Sequence, residues 1–284
     1  MIWVIANKIE EDGSYPTYRY YKKAFADEAI DIYCAGQDDN FSFIKKDDIV
    51  IMRTRDKNIN YRVRKAQEVI GFSSTVESYL VDCFTHDKDA AKGVLEVHKV
   101  RCPKTYKYVH EVVEGNKYFV KPRYGENSVG IDEYSLCTTR KQVAIKCAML
   151  QHKEIVPMVE EFVEGEDATS AIIFTEDGLK VYSAIMKPNS KEGYHTDTTK
   201  EEFSFTPKVY KDKRLTEAIL KVWHAIGARH YLRIDTRIVD GIPYIIDINM
   251  IPGLAPDGYF SKCLEVNGVD YLDGIRMVVG SATN

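Results

Sequence analysis

The sequence predicts an α/β unit built on a parallel sheet, followed by α+β units built on antiparallel sheets. Three observations point there. Residues 1–80 alternate short apolar segments with amphipathic ones. Residues 117–210 hold several strand-like runs around one helical pattern, with Asp177-Gly178 as a hairpin signal. Residues 231–250 read as a second hairpin around Asp240-Gly241. The chain has 284 residues, of which 44% are hydrophobic and 29% charged. This is the balance of an ordinary globular protein of one large or two to three small domains.

Taken in order, residues 2–6, 30–34 and 49–53 are expected strands, because each is a short apolar run rich in β-branched side chains. Residues 18–28 and 61–70 between and after them carry helical periodicity. Residues 75–100 read as mostly helical, interrupted near Thr85 and ended by Pro103. Strands follow at 118–121, 155–163, 168–174 and 180–186, with a helix at 140–152. Residues 188–202 are polar without apolar periodicity and read as a mobile loop. A helix at 214–226 leads into the hairpin, and weaker helical signals follow Pro256. Trp223 lies on the apolar face of its helix and is expected in the core.

Composition excludes several classes of function. With 39 Lys and Arg against 43 Asp and Glu, the net charge is −4, the wrong sign for a general nucleic-acid binder. No apolar run approaches the ~20 residues needed to cross a bilayer, and residues 1–7 lack the pattern of a signal peptide. The six cysteines form no CxxC pair, so reduced thiols and a cytoplasmic protein are expected. GxGxxG, Walker A, HExxH and GxSxG patterns are all absent. Any nucleotide chemistry must therefore use another phosphate cradle.

The strongest chemical constellation is Arg233-Ile-Asp235-Thr-Arg237 facing Asp247-Ile-Asn249 across the second hairpin. Residues i and i+2 share a strand face, so two carboxylates and an amide oxygen offer a hard, oxygen-only ligand set of the kind magnesium takes. The alternative is an exposed face of ordinary ion pairs, such as Arg233 with Asp247. Register provides a test. A two-residue turn at Asp240-Gly241 would set Asp235 opposite Ile246 and send Asp247 to the other side of the sheet. A shared metal site requires an odd loop or a β-bulge, and one of these is expected.

Two further segments complement the hairpin. Lys121 ends a strand and precedes Pro122 and a turn between Gly125 and Gly130 that contains Ser128. That arrangement suits phosphate oxygens, although a Lys-Pro turn with two glycines is often only a loop. Glu160-Glu161-Phe162-Val163, with Glu166 beyond, ends an apolar strand. It could offer backbone groups to a base and a carboxylate to ribose, or be a solvated acidic loop.

Together these pieces resemble the ATP-grasp superfamily, most closely its D-alanine–D-alanine ligase branch. The resemblance covers roughly residues 87–256 and rests on Asp87-Lys88, Phe119-Val-Lys121-Pro122, Glu160-Glu161-Phe162-Val163 with Glu166, Arg233-Ile-Asp235 and Asp247-Ile-Asn249-Met-Ile-Pro252-Gly253, in the family's order. It implies an ATP-grasp fold with an N-terminal parallel α/β (pre-ATP-grasp) substrate domain at 1–80. A small central lid with its helical lead-in would follow at 81–185, and a C-terminal domain with the metal site at 186–284. It also implies ATP as co-substrate and two Mg²⁺ ions, with Mn²⁺ as a substitute.

Under the resemblance Lys88 and Lys121 would contact phosphates, with Ser128 in the flap above them. Glu160 to Val163 would lie along the adenine, and Glu166 at the ribose. Asp235, Asp247 and Asn249 would hold the metals. Arg233 would face the reacting centre, and Lys200 would be the further phosphate-contacting lysine. The implied reaction joins a carboxylate to an amine, both small molecules, through an acyl phosphate, and the family's habit suggests a homodimer. The alternatives are a ligase acting on a peptide or another small metabolite, transfer of phosphate to an alcohol, and a non-catalytic nucleotide-binding protein.

Three departures stand out. Asp247 replaces the more usual Glu. The family's N-terminal Glu motif has no match before residue 60. Leu254-Ala-Pro256-Asp257-Gly258-Tyr259 lacks the serine that takes the second substrate's carboxylate.

Overall fold

In a computed structural model, residues 1–6, 18–36, 38–125, 130–188 and 205–283 are described. The N-terminal unit contains β1 (Ile2–Ala6), α1 (Tyr18–Ala24), β2 (Ile30–Cys34), β3 (Ile49–Met52), α2 (Lys57–Ile70) and β4 (Ser73–Ser74). Its strands form a parallel sheet in the order β2-β1-β3-β4. The α2 helix starts four residues earlier than the periodicity indicates. The Asp56 carboxylate accepts hydrogen bonds from the Asn58 and Ile59 N–H groups and so caps a polar first turn.

Two helices follow, α3 (Tyr79–His86) and α4 (Lys88–Val97). Asp87 separates them and caps α4 through the Asp89 and Ala90 N–H groups, which accounts for the interruption seen in the sequence. Next come β5 (Thr105–Tyr106), β6 (Tyr118–Pro122), β7 (Leu136–Cys137), α5 (Arg140–His152) and β8 (Pro157–Glu161). These strands form a small antiparallel sheet, β5-β8-β6-β7, over a core that includes Tyr118, Val120, Val143 and Leu150.

The remaining elements are β9 (Glu166–Thr175), β10 (Gly178–Pro188), β11 (Phe205–Val209), α6 (Lys213–Ile226), β12 (Tyr231–Val239), β13 (Ile242–Asn249), α7 (Tyr259–Val266) and α8 (Tyr271–Gly280). They include a five-stranded antiparallel sheet, β11-β10-β9-β12-β13. β9 and β10 pair with β12 and β11, not with β6 or β8. Sheet membership therefore changes near Gly165, inside the stretch 117–210 that the sequence pattern reads as one module. Local pattern shows the hairpin at Asp177-Gly178 but not its distant partner strand.

This large sheet is buried on both faces. Ile172, Leu232 and Ile234 pack with Leu215, Ile219 and Trp223 of α6 and Leu95 of α4. Ala171, Ile173 and Tyr231 pack with Phe260 and Cys263 of α7 and Val278 of α8. Ile2, Val4 and Ile51 of the N-terminal sheet join that second core. Among the described residues, no helix is long and apolar enough to cross a membrane.

The strand-to-strand passage at Gly165 is tight. A Cβ there would lie 2.4 Å from the Ile238 carbonyl oxygen. Gly165→Ala is expected to lower stability by about 1–3 kcal/mol, the usual cost of overpacking against an atom that cannot move aside. Thermal denaturation of the purified variant checks this, and an unchanged melting temperature would contradict it.

Candidate active site

The hairpin of β12 and β13 turns through Asp240 and Gly241, both with positive φ, and pairs Val239 with Ile242. This two-residue turn alone would misplace Asp247. The register then shifts: Thr236 pairs with Ile245, but Asp235 pairs with Asp247. Ile246 is thus the extra residue of a β-bulge, the device that the shared-face argument required. From Asp247 onward the odd-numbered side chains return to the face of Arg233 and Asp235, with Arg233 opposite Asn249. The carbonyl of Ile246 accepts a hydrogen bond from Lys121 Nζ at 3.4 Å.

These groups border a cavity of about 450 Å³, within the roughly 300–1,000 Å³ typical of small-molecule sites. Its wall contains Lys88, Lys121, Glu160, Glu161, Phe162, Val163, Arg233, Asp235, Asp247 and Asn249. Ser128 and Lys200 lie outside the described residues, as does most of the polar loop that begins at Pro188.

Glu166 and its neighbour are placed differently. Glu166 is exposed and outside the wall, whereas the next residue, Asp167, lies in it. Strand parity gives the reason. Asp167 and Thr169 pair with Arg237 and Asp235, while Glu166 pairs with Ile238. Arg237 Nε donates to Asp167 Oδ1 at 2.7 Å. Burial nevertheless outweighs that guanidinium and pushes the Asp167 carboxyl up to about 6.

A carboxyl raised above its unfolded value makes the native state bind a proton more tightly than the unfolded state does. Its unfavourable contribution therefore grows as pH rises from about 4 to about 6 and is constant above. Wild type is expected to lose up to about 3 kcal/mol of stability relative to Asp167→Asn over that window, at 1.36 kcal/mol per pKa unit. Urea denaturation of both proteins from pH 4 to 8 measures it. A flat difference would refute the assignment.

At the metal-type end, Asp235 accepts from Arg233 Nη2 at 2.8 Å and from Thr169 Oγ1 at 2.9 Å. Lys88 Nζ stands 3.9 Å from Asp247 Oδ1. Asn249 Oδ1 accepts from Arg55 Nη2 at 3.3 Å and from the Ile251 N–H at 3.1 Å. Among the described residues, no three His, Cys, Asp or Glu side chains gather as a metal site; the candidate donors are two carboxylates and one amide. Two carboxylates directly opposite on paired strands repel each other. Their hard oxygens, open to the cavity, fit a divalent cation of the magnesium type.

At the phosphate-type end, Lys88 Nζ donates to the Gly125 carbonyl. Its position is fixed from behind, where Arg123 pairs with the Asp87 carboxylate through two 2.8 Å hydrogen bonds. Glu160 is 3% exposed, and both of its oxygens are engaged, one by Lys121 at 2.7 Å and the other by Lys92. Burial alone would raise its carboxyl, but the two ammonium groups overcome this and hold it below the usual carboxylate range. Glu160 thus secures lysines and is not itself open to a base. The apolar part of the wall is supplied by Phe119, Phe162 and Ile131. Arg237 lies over the Phe162 ring, 5.1 Å from its centroid.

Sequence reasoning missed Lys92, Asp167, Thr169 and Tyr259. For Asp167 and Thr169 the signal was present as parity with the hairpin. Tyr259 lines the cavity beneath Arg233, with the guanidinium 5.9 Å from its ring.

Comparison with known proteins supplies the context. The family described as D-ala D-ala ligase C-terminus matches residues 94–279. A D-alanine–D-alanine ligase from Clostridium botulinum is 23% identical over 260 residues, 83% of this chain and 84% of the relative. A crystal structure of D-alanine–D-alanine ligase from Bacillus anthracis complexed with ATP superposes with a TM-score of 0.75 at 17% identity, covering 99% of this chain and 97% of the other. A D-Ala:D-Ser ligase from Enterococcus faecalis gives 0.71 at 17% identity, covering 99% and 98%.

Proposed function

Because the chain belongs to the D-Ala–D-Ala ligase C-terminal family, we propose that it is an ATP-dependent ligase that joins a carboxylate to an amine through an acyl phosphate. The observation that carries this reading is the bulge at Ile246. It brings Asp235, Asp247 and Asn249 to the cavity that also holds Arg233, Lys88 and Lys121.

A free carboxylate resists attack by an amine because oxide is too poor a leaving group. Transfer of the γ-phosphoryl group from ATP makes phosphate the leaving group instead. Such transfer asks the protein for positioning and charge stabilisation more than for covalent chemistry. Lys121 and Lys88 would hold phosphate oxygens from the two sides of the cavity. Phe119 and Phe162 would cover the base, and Asp167 would accept from the sugar hydroxyls. Asp235, Asp247 and Asn249 would hold two Mg²⁺ ions, which when bound supply positive charge to the phosphate oxygens. Arg233 would leave Asp235 to meet the charge that develops on the phosphoryl group, and then on the tetrahedral oxygen formed when the amine attacks.

D-alanine as both substrates is the reading closest to the curated relatives. Tyr259 favours a second reading, in which the amine substrate is not D-alanine. An aromatic ring beneath Arg233 offers a flat apolar surface where the resemblance leads one to expect a serine hydroxyl. The experiment is ADP and phosphate release with ATP and Mg²⁺, using amino acids and short peptides singly and in pairs, with product masses read directly. A dipeptide from D-alanine alone supports the first reading. Product only from another carboxylate–amine pair supports the second. Nucleotide binding without turnover over a broad panel would count against a ligase.

A further inference from the structure

Lys92 has no place in the chemistry above, yet it is among the buried cations of the described residues. It lies one helical turn beyond Lys88 on α4. It is 8% exposed, against 4% for Lys121 and 3% for Glu160. Its Nζ donates to Glu160 and, at 3.4 Å, to the Pro103 carbonyl. Lys121 and Glu160 line the cavity, whereas Lys92 is absent from its wall.

Charge balance gives this arrangement a meaning. A buried Lys121–Glu160 pair alone would be neutral, and a neutral pair attracts a polyphosphate weakly. Burial pushes the Lys92 ammonium below its usual range and Glu160 opposes that; with Lys92 charged, the cluster holds two cations and one anion. The surplus positive charge is felt at the cavity side, through the lysine that faces it. Burying an ammonium is costly without a partner. Two ammonium groups sharing one carboxylate is therefore an arrangement that stability alone does not favour.

Resting on the nucleotide reading above, we propose that Lys92 is a positioning residue for the phosphate chain: it neutralises Glu160 from behind so that Lys121 keeps its charge for the nucleotide. The effect should scale with phosphate charge and be nearly absent for the base and sugar. One unit charge acting over roughly 7–10 Å at an effective dielectric of about 20 corresponds to about 15- to 50-fold in affinity.

The test is calorimetric titration of the full-length protein with adenosine, AMP, ADP and ATP. For Lys92→Met the expected result is a loss that grows along the series, reaching about 15- to 50-fold for ATP and staying within about twofold for adenosine. The double variant Lys92→Met/Glu160→Gln removes the anion as well, restores the surplus charge of Lys121, and is expected to recover most of the ATP affinity. It also removes the poorly compensated carboxylate, so it serves where the single variant folds badly. Lys92→Arg is expected to bind like wild type. Equal losses for adenosine and ATP, no loss at all, or a double variant as weak as the single one would each overturn the proposal. Wild type that binds none of the four ligands would instead overturn the nucleotide reading and the inference with it.

Discussion

Inserting one alanine between Ile246 and Asp247 is expected to abolish turnover, with a loss of at least about 10³-fold, while the helices and the other two sheets stay folded. The bulge is the only reason Asp247 and Asn249 share a face with Asp235, given a two-residue turn at Asp240-Gly241. The inserted residue takes the place opposite Asp235 and moves every later side chain of β13 on by one position. Asp247 and Asn249 then rotate toward the core occupied by Ile234, Leu232 and α6, and Ile248 takes their place in the cavity. Ile246→Val, which keeps the bulge, is expected to stay within a few-fold of wild type. Circular dichroism and ADP release on both variants decide the matter. An insertion variant that keeps a tenth of wild-type turnover would show that this register is not what assembles the site.

Arg233→Met is expected to lower kcat by about 10²–10³-fold, the usual cost of losing one preorganised donor to a developing negative charge. ADP affinity is expected to change by less than about threefold, because Arg233 serves the transition state more than the bound nucleotide. The loss also leaves Asp235 with its hydrogen bond from Thr169, so the metal-type end keeps part of its framework. Steady-state kinetics with titration of ADP separates the two effects. Equal loss in binding and turnover would place Arg233 on the ground-state phosphates instead.

The sequence made the hairpin site legible because it combined a strong turn signal with strict alternation. Those two rules conflict unless a residue is added, so an odd loop or a bulge could be expected from the sequence alone. The N-terminal parallel sheet was legible for a similar reason, since each of its three main strands is a compact apolar run. The pairing of β9 with β12 was not legible. Thr169 and Asp235 are 66 residues apart, and no local pattern joins them. That distance also hid Asp167: once Thr169 is placed opposite Asp235, parity selects Asp167 over Glu166. Lys92 was hidden differently. A lysine on an amphipathic helix ordinarily reaches water, and only Glu160, 68 residues later, turns this one inward.

The N-terminal sheet does more than pack against the C-terminal helices. Just beyond β3, Arg53 donates to the Pro252 carbonyl at 2.7 Å and Arg55 to the Ile251 carbonyl at 2.8 Å. Arg55 also reaches the side-chain amide of Asn249. Two planar guanidinium groups therefore tie one unit to the segment that carries a candidate metal donor of another. The consequence is mechanical. The strand end that carries Asn249 is held in part by side chains of the N-terminal unit. Losing either guanidinium thus removes a support of the β13 end from outside its own unit.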